Sequence, residues 1–152
     1  ESVFDKYGVQ KVESLEELFS SCNIISIHTP LTPRTEGMID LILLKKMPKG
    51  GILINTSRGG IVKEQDLYSA LKGGFLDFAG VDVIIDESKF ESPLYELDNV
   101  IITPHIAYYS EEALIECRRK AAEQIADVIG RGLLPKYLVN KSVKGKTKTI
   151  LS

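Results

Sequence analysis

The tripeptide Ile52-Leu53-Ile54 is apolar at every position, with Pro48-Lys49-Gly50-Gly51 before it and Asn55-Thr56-Ser57-Arg58-Gly59-Gly60 after it. A strand with one wet face alternates polar and apolar residues, so a short run without polar positions belongs in a sheet covered on both faces, where neighbouring strands are parallel. Further strand-like runs stand at residues 24–28, 78–85 and 100–103. Between them the period changes to that of helices. Ser14 and Glu17 make a capping box ahead of an apolar face of Leu15, Leu18, Phe19 and Cys22. Asp40 can cap a helix through Met47, and residues 63–72 turn Leu67, Ala70 and Leu71 inward before the Gly73-Gly74 stop. A last helix opens at Ser110 and runs to about residue 129, with Leu114, Cys117, Ala121, Ile125 and Val128 as one stripe predicted to be buried. Parallel neighbours cannot be joined by a tight hairpin. The alternation therefore predicts an α/β fold, a doubly wound parallel sheet with right-handed crossovers.

The totals bound what such a sheet can serve. At 152 residues there is room for about one domain. Nineteen basic against twenty-one acidic residues leave a formal charge of -2, which provides no global field for nucleic acid or an anionic membrane. Cys22 and Cys117 fit no disulfide framework or metal spacing and read as buried reduced thiols on helices, which points to a reducing compartment. No apolar run approaches the roughly 20 residues of a membrane helix, and the polar start does not read as a signal peptide, so the expected location is the cytoplasm. The chain opens at Glu1 within a helical stretch, residues 1–7, stopped by Gly8, and residues 8–12 read as β-like; a fragment or a processed chain is expected. After Asp127 every charge is basic: Arg131, Lys136, Lys141, Lys144, Lys146 and Lys148. Residues 141–152 read as a solvated basic tail.

Three apolar runs deliver a polar side chain at or soon after their ends, where ligands sit in parallel α/β sheets. Arg58 follows Ile54-Asn55-Thr56-Ser57, Glu87 follows Gly80-Val81-Asp82-Val83-Ile84-Ile85-Asp86, and His105 stands in Thr103-Pro104-His105-Ile106-Ala107. A guanidinium fork can hold a carboxylate in bidentate fashion. A carboxylate beside an imidazole fixes its tautomer, which makes Glu87 and His105 an acid/base couple.

In order and approximate spacing, these three residues resemble those of the D-2-hydroxyacid dehydrogenases, and residues 24–140 are similar to the later part of that family's NAD-binding domain. The resemblance implies a Rossmann-like fold over residues 1–140, incomplete because the first strands and the glycine-rich loop are not in the sequence. It implies hydride transfer between NAD(H), with NADP not excluded, and a small D-2-hydroxy or 2-oxo acid. In those roles Arg58 grips the acid, His105 exchanges the hydroxyl proton and Glu87 orients the imidazole. By the same resemblance Thr29, Pro30, Thr56, Ser57, Arg58, Asp82, His105 and Ala107 line the cofactor groove, and Tyr108 joins Arg58 in the substrate pocket. Tyr108-Tyr109 is similar to the paired aromatics of the C-terminal binding protein corepressors, so a non-enzymatic, dinucleotide-sensing protein is the alternative. Ser88-Lys89-Phe90 departs from the family's proline-rich continuation. The strand at 24–28 is expected to have an open edge, and the protein to be a homo-oligomer, a dimer in the simplest case.

Overall fold

The computed structural model describes residues 3–89 and 91–143. It divides into two compact units, Glu1–Ala107 and Tyr108–Ser152.

The first unit holds α1 (Val3–Tyr7), α2 (Leu15–Ser21), β1 (Ile24–Ile27), α3 (Leu41–Leu44), β2 (Ile52–Asn55), α4 (Glu64–Lys72), β3 (Phe78–Val81) and β4 (Val100–Ile102). The four strands form one sheet in the order β1-β2-β3-β4, every pair parallel, with Ile25 opposite Leu53, Leu53 opposite Ala79 and Gly80 opposite Ile101. This is the Rossmann-like parallel α/β architecture that the strand–helix alternation predicts. One face carries Ile25, Ile27, Leu53, Ala79 and Val81, all buried, in a cluster with Phe19 of α2, Leu43 and Leu44 of α3, and Leu67, Ala70 and Leu71 of α4. A chain-order sheet with crossovers of one hand brings its connecting helices to one face, which accounts for this grouping. On the other face Ile24, Phe78 and Ile101 are exposed.

Local chemistry starts the helices where the sequence places them. Ser14 Oγ accepts from Glu17 N at 3.1 Å, although the reciprocal carboxylate bond reaches Glu13 N rather than the cap's own amide. Asp40 Oδ1 accepts from Leu43 N, and Asp66 from α4 accepts from Leu41 N, so the start of α3 is fixed from two sides. Three expectations need correction. Residues 8–12 form no strand: they are exposed or half-buried and pair with no described strand. The run from Phe78 leaves the sheet at Val81 rather than continuing to residue 85, because Asp82 turns its carbonyl and carboxylate to the segment after β4 and the Ile85 amide finds a side-chain acceptor. The helix from Asp40 ends at Leu44 and continues as a turn to Met47.

The second unit contains α5 (Glu111–Arg131), capped by Ser110 Oγ on Ala113 N and ended by Gly132 in the left-handed region. Its apolar stripe has the expected spacing, but no residue of α5 is buried. Cys117 is accordingly exposed, and only Cys22 is half-buried. Residues 1, 2 and 90, and the basic tail from residue 144 onward, lie outside the described residues.

Candidate active site

Asn55, the last residue of β2, is 2% exposed, and it builds the turn that follows. Its Nδ2 donates to the Arg58 carbonyl and its Oδ1 accepts from Ser57 N, both at 3.0 Å. A buried amide must satisfy both ends, and folding the chain back over itself does so. Ser57 Oγ then donates to the Thr29 carbonyl at 2.8 Å, joining this turn to the loop after β1, where Thr35 Oγ1 donates to the Pro30 carbonyl. Arg58 emerges extended and exposed; its Nη1 donates to the Ser57 carbonyl, and it makes no ion pair among the described residues.

Asp82, just past β3, is 3% exposed and has both carboxylate oxygens engaged. Oδ1 accepts from the Thr103 hydroxyl and from Ile106 N, Oδ2 accepts from Ala107 N at 2.8 Å, and the Asp82 carbonyl accepts from His105 N at 3.0 Å. Burial pushes this carboxyl up. The Thr103 hydroxyl, the Ala107 and Ile106 amides and nearby His105 together outweigh burial and hold it below the usual carboxylate range.

The segment gripped by Asp82 presents His105 at φ 54°, the one non-glycine residue with positive φ among those described. A side chain in that region costs about 1 kcal/mol or more, and the bonds to Asp82 on either side of His105 hold it there. Its Nδ1 lies 2.9 Å from Glu87 Oε2, with each side chain less than half exposed. With Nδ1–H donated to the carboxylate, Nε2 is the nitrogen left to exchange a proton. Against this pair opens a cavity of about 580 Å³, lined among others by Asp82, Ile84, Leu94, Tyr95 and Ile102.

Arg58, Asp82, Glu87 and His105 thus stand on segments that leave the carboxyl ends of β2, β3 and β4, with Thr29 and Pro30 following β1. The expected cofactor-groove residues fall on the same rim: Thr56 is exposed, Ser57 and Thr29 are half-buried, and Ala107 is fixed through its amide. Tyr108 opens the second unit, 65% exposed and edge-on to Tyr109. Asn55 had no role in the sequence reading, although a polar residue ending an otherwise apolar strand was its visible signal. Polar groups of mixed donor and acceptor character beside an apolar cavity, at the carboxyl ends of parallel strands, suit the nicotinamide end of a dinucleotide.

The architecture and this rim define a dinucleotide-type α/β domain with a carboxylate–imidazole contact at the carboxyl end of its sheet. Residues 1–107 match the family model "D-isomer specific 2-hydroxyacid dehydrogenase, NAD binding domain". The chain belongs to that family. It is 40% identical over 138 residues to a D-3-phosphoglycerate dehydrogenase of Methanocaldococcus jannaschii, covering 91% of this chain and 26% of the relative. It is also 40% identical over 140 residues to a glyoxylate reductase of Korarchaeum cryptofilum, covering 90% of this chain and 41% of the relative. Among solved structures it resembles the holo form of Rhodotorula graminis D-mandelate dehydrogenase, with a TM-score of 0.81, 30% identity and coverage of 91% of this chain and 42% of the other. A D-lactate dehydrogenase from Aquifex aeolicus, complexed with NAD and lactic acid, superposes with a TM-score of 0.75 at 32% identity, covering 87% of this chain and 44% of that one. The chain therefore spans less than half the length of each of these proteins.

Proposed function

We propose that this chain is the NAD-binding and acid/base part of a D-2-hydroxyacid dehydrogenase, which moves a hydride between NAD(H) and a small D-2-hydroxy or 2-oxo acid. The observation that carries the reading is the 2.9 Å contact between His105 Nδ1 and Glu87 Oε2 at the carboxyl end of a parallel sheet. Bound NAD(H) supplies or accepts the hydride. The side chains do the rest: in oxidation Nε2 of His105 takes the 2-hydroxyl proton as the carbonyl forms, and in reduction it returns that proton to the carbonyl oxygen. Glu87 fixes the tautomer and orients the ring, and Arg58 holds the acid's carboxylate with its planar fork. Thr29, Pro30, Thr56, Ser57, Asp82, His105 and Ala107 line the groove for the cofactor.

Relatives named for phosphoglycerate, glyoxylate, mandelate and lactate support a small 2-oxo acid as the substrate class. The reading extends to a cytoplasmic homo-oligomer that uses no nucleic acid: no described helix is long and apolar enough to cross a membrane, and the formal charge is only -2. The test is NADH and NADPH oxidation with a panel of 2-oxo acids, on the intact protein that carries this chain. Turnover with at least one acid is expected, with a loss of about 10²- to 10⁴-fold in His105→Ala. Absence of turnover with every acid and both cofactors overturns the reading.

A further inference from the structure

Once the chain leaves β3, the backbone amide of Ile85 has no ladder to join, yet it is not left to solvent: Glu64 Oε2 accepts from it at 3.0 Å. Glu64 is the first residue of α4 and half-buried. A carboxylate in the first turn of a helix is ordinary, since it complements the helix dipole. What is particular is its target, the amide two residues before Glu87. The same peptide is packed against Gly59. A Cβ at that position would stand 2.2 Å from both the carbonyl carbon and oxygen of Ile84 and 2.7 Å from the Ile85 nitrogen, all backbone atoms. The turn carrying Arg58 and the loop carrying Glu87 are thus in backbone contact, and Ile84 is buried beside them.

We propose that Glu64 is a positioning residue: by holding the Ile85 amide against the Gly59 turn it sets where Glu87 meets His105, and places carboxylate recognition and proton transfer in one frame. The proposal rests on the dehydrogenase reading. Water could satisfy the amide equally well but could not fix its position, and small misplacements of a catalytic group are costly.

The experiment compares Glu64→Ala and Glu64→Gln with the intact protein, reading kcat and KM for a 2-oxo acid separately, together with hydrogen exchange at the Ile85 amide. Glu64→Ala is expected to lower kcat by about tenfold while KM stays within about twofold, and to speed Ile85 exchange. Glu64→Gln keeps an acceptor oxygen and is expected to restore most of both. Gly59→Ala, which pushes the same peptide, should also lower kcat. Unchanged kcat in Glu64→Ala overturns the proposal whatever the amide does. If the unaltered protein shows no turnover, the dehydrogenase reading fails, and Ile85 exchange alone decides the contact: faster exchange in Glu64→Ala upholds it and unchanged exchange overturns it.

Discussion

A single buried carboxylate organises the segment that carries His105, and its chemistry makes stability depend on pH. Asp82 accepts from two amides and a hydroxyl, so Asp82→Ala leaves three donors without an acceptor; a loss of about 2 to 5 kcal/mol in urea unfolding at neutral pH is expected. Its folded-state pKa lies below the ordinary 3.8, so its contribution is fully present above the unfolded value and is lost as pH falls through the lower folded one. The gap in stability between the protein and Asp82→Asn should therefore be constant near neutrality and narrow only below about pH 4. His105 separates backbone from chemistry. Asparagine tolerates the left-handed region, so His105→Asn should stay within about 1 kcal/mol of the original stability while losing proton transfer, checked by thermal unfolding beside turnover. Arg58 has no ion-pair partner among the described residues, and Arg58→Ala should leave Tm unchanged while costing about 2 to 5 kcal/mol in kcat/KM for the acid.

Among the elements, what was legible in the sequence was what is local. Ser14, Asp40 and Ser110 cap the helices that the sequence assigns to them because each bond spans three residues. The all-apolar run at residues 52–54 lies in β2, paired in parallel with β1 and β3, but the cover expected on both faces is found on one: Ile52 and Ile54 are only half-buried, beside exposed Ile24 and Phe78. Arg58, Glu87 and His105 could be singled out from type and spacing, and the Glu87–His105 contact could be expected. The supports beneath them could not: Asp82 meets partners 21 to 25 residues onward, and Glu64 reaches an amide 21 residues away, separations that no periodicity encodes. The α5 stripe shows the opposite limit, since its spacing is plain but spacing alone does not say what covers it. Leu53→Ala, at a fully buried position of an inner strand, should cost about 2 to 5 kcal/mol, whereas Ile24→Lys on the exposed face of β1 should change stability little. If copies associate through β1, Ile24→Lys should also lower the mass seen in light scattering at high concentration.

At the scale of the whole molecule, the buried apolar cluster is drawn entirely from the unit Glu1–Ala107, the span the family model matches. A polypeptide ending at Ala107 should therefore retain a cooperative urea transition, read by far-UV circular dichroism; a non-cooperative, sloping curve would count against it. Strand order follows chain order in this unit, with a consequence for synthesis on the ribosome. Translation delivers β1, β2 and β3 first, and the Asp82 carboxylate emerges while Thr103, Ile106 and Ala107 are still to be made. Until they arrive that charge must stay hydrated, so the third strand's end cannot be sealed and the segment that brings His105 to Glu87 cannot be fixed. The Glu87–His105 contact is the last part of this unit to be assembled, and a nascent chain halted before Ala107 would carry the sheet without its fixed geometry.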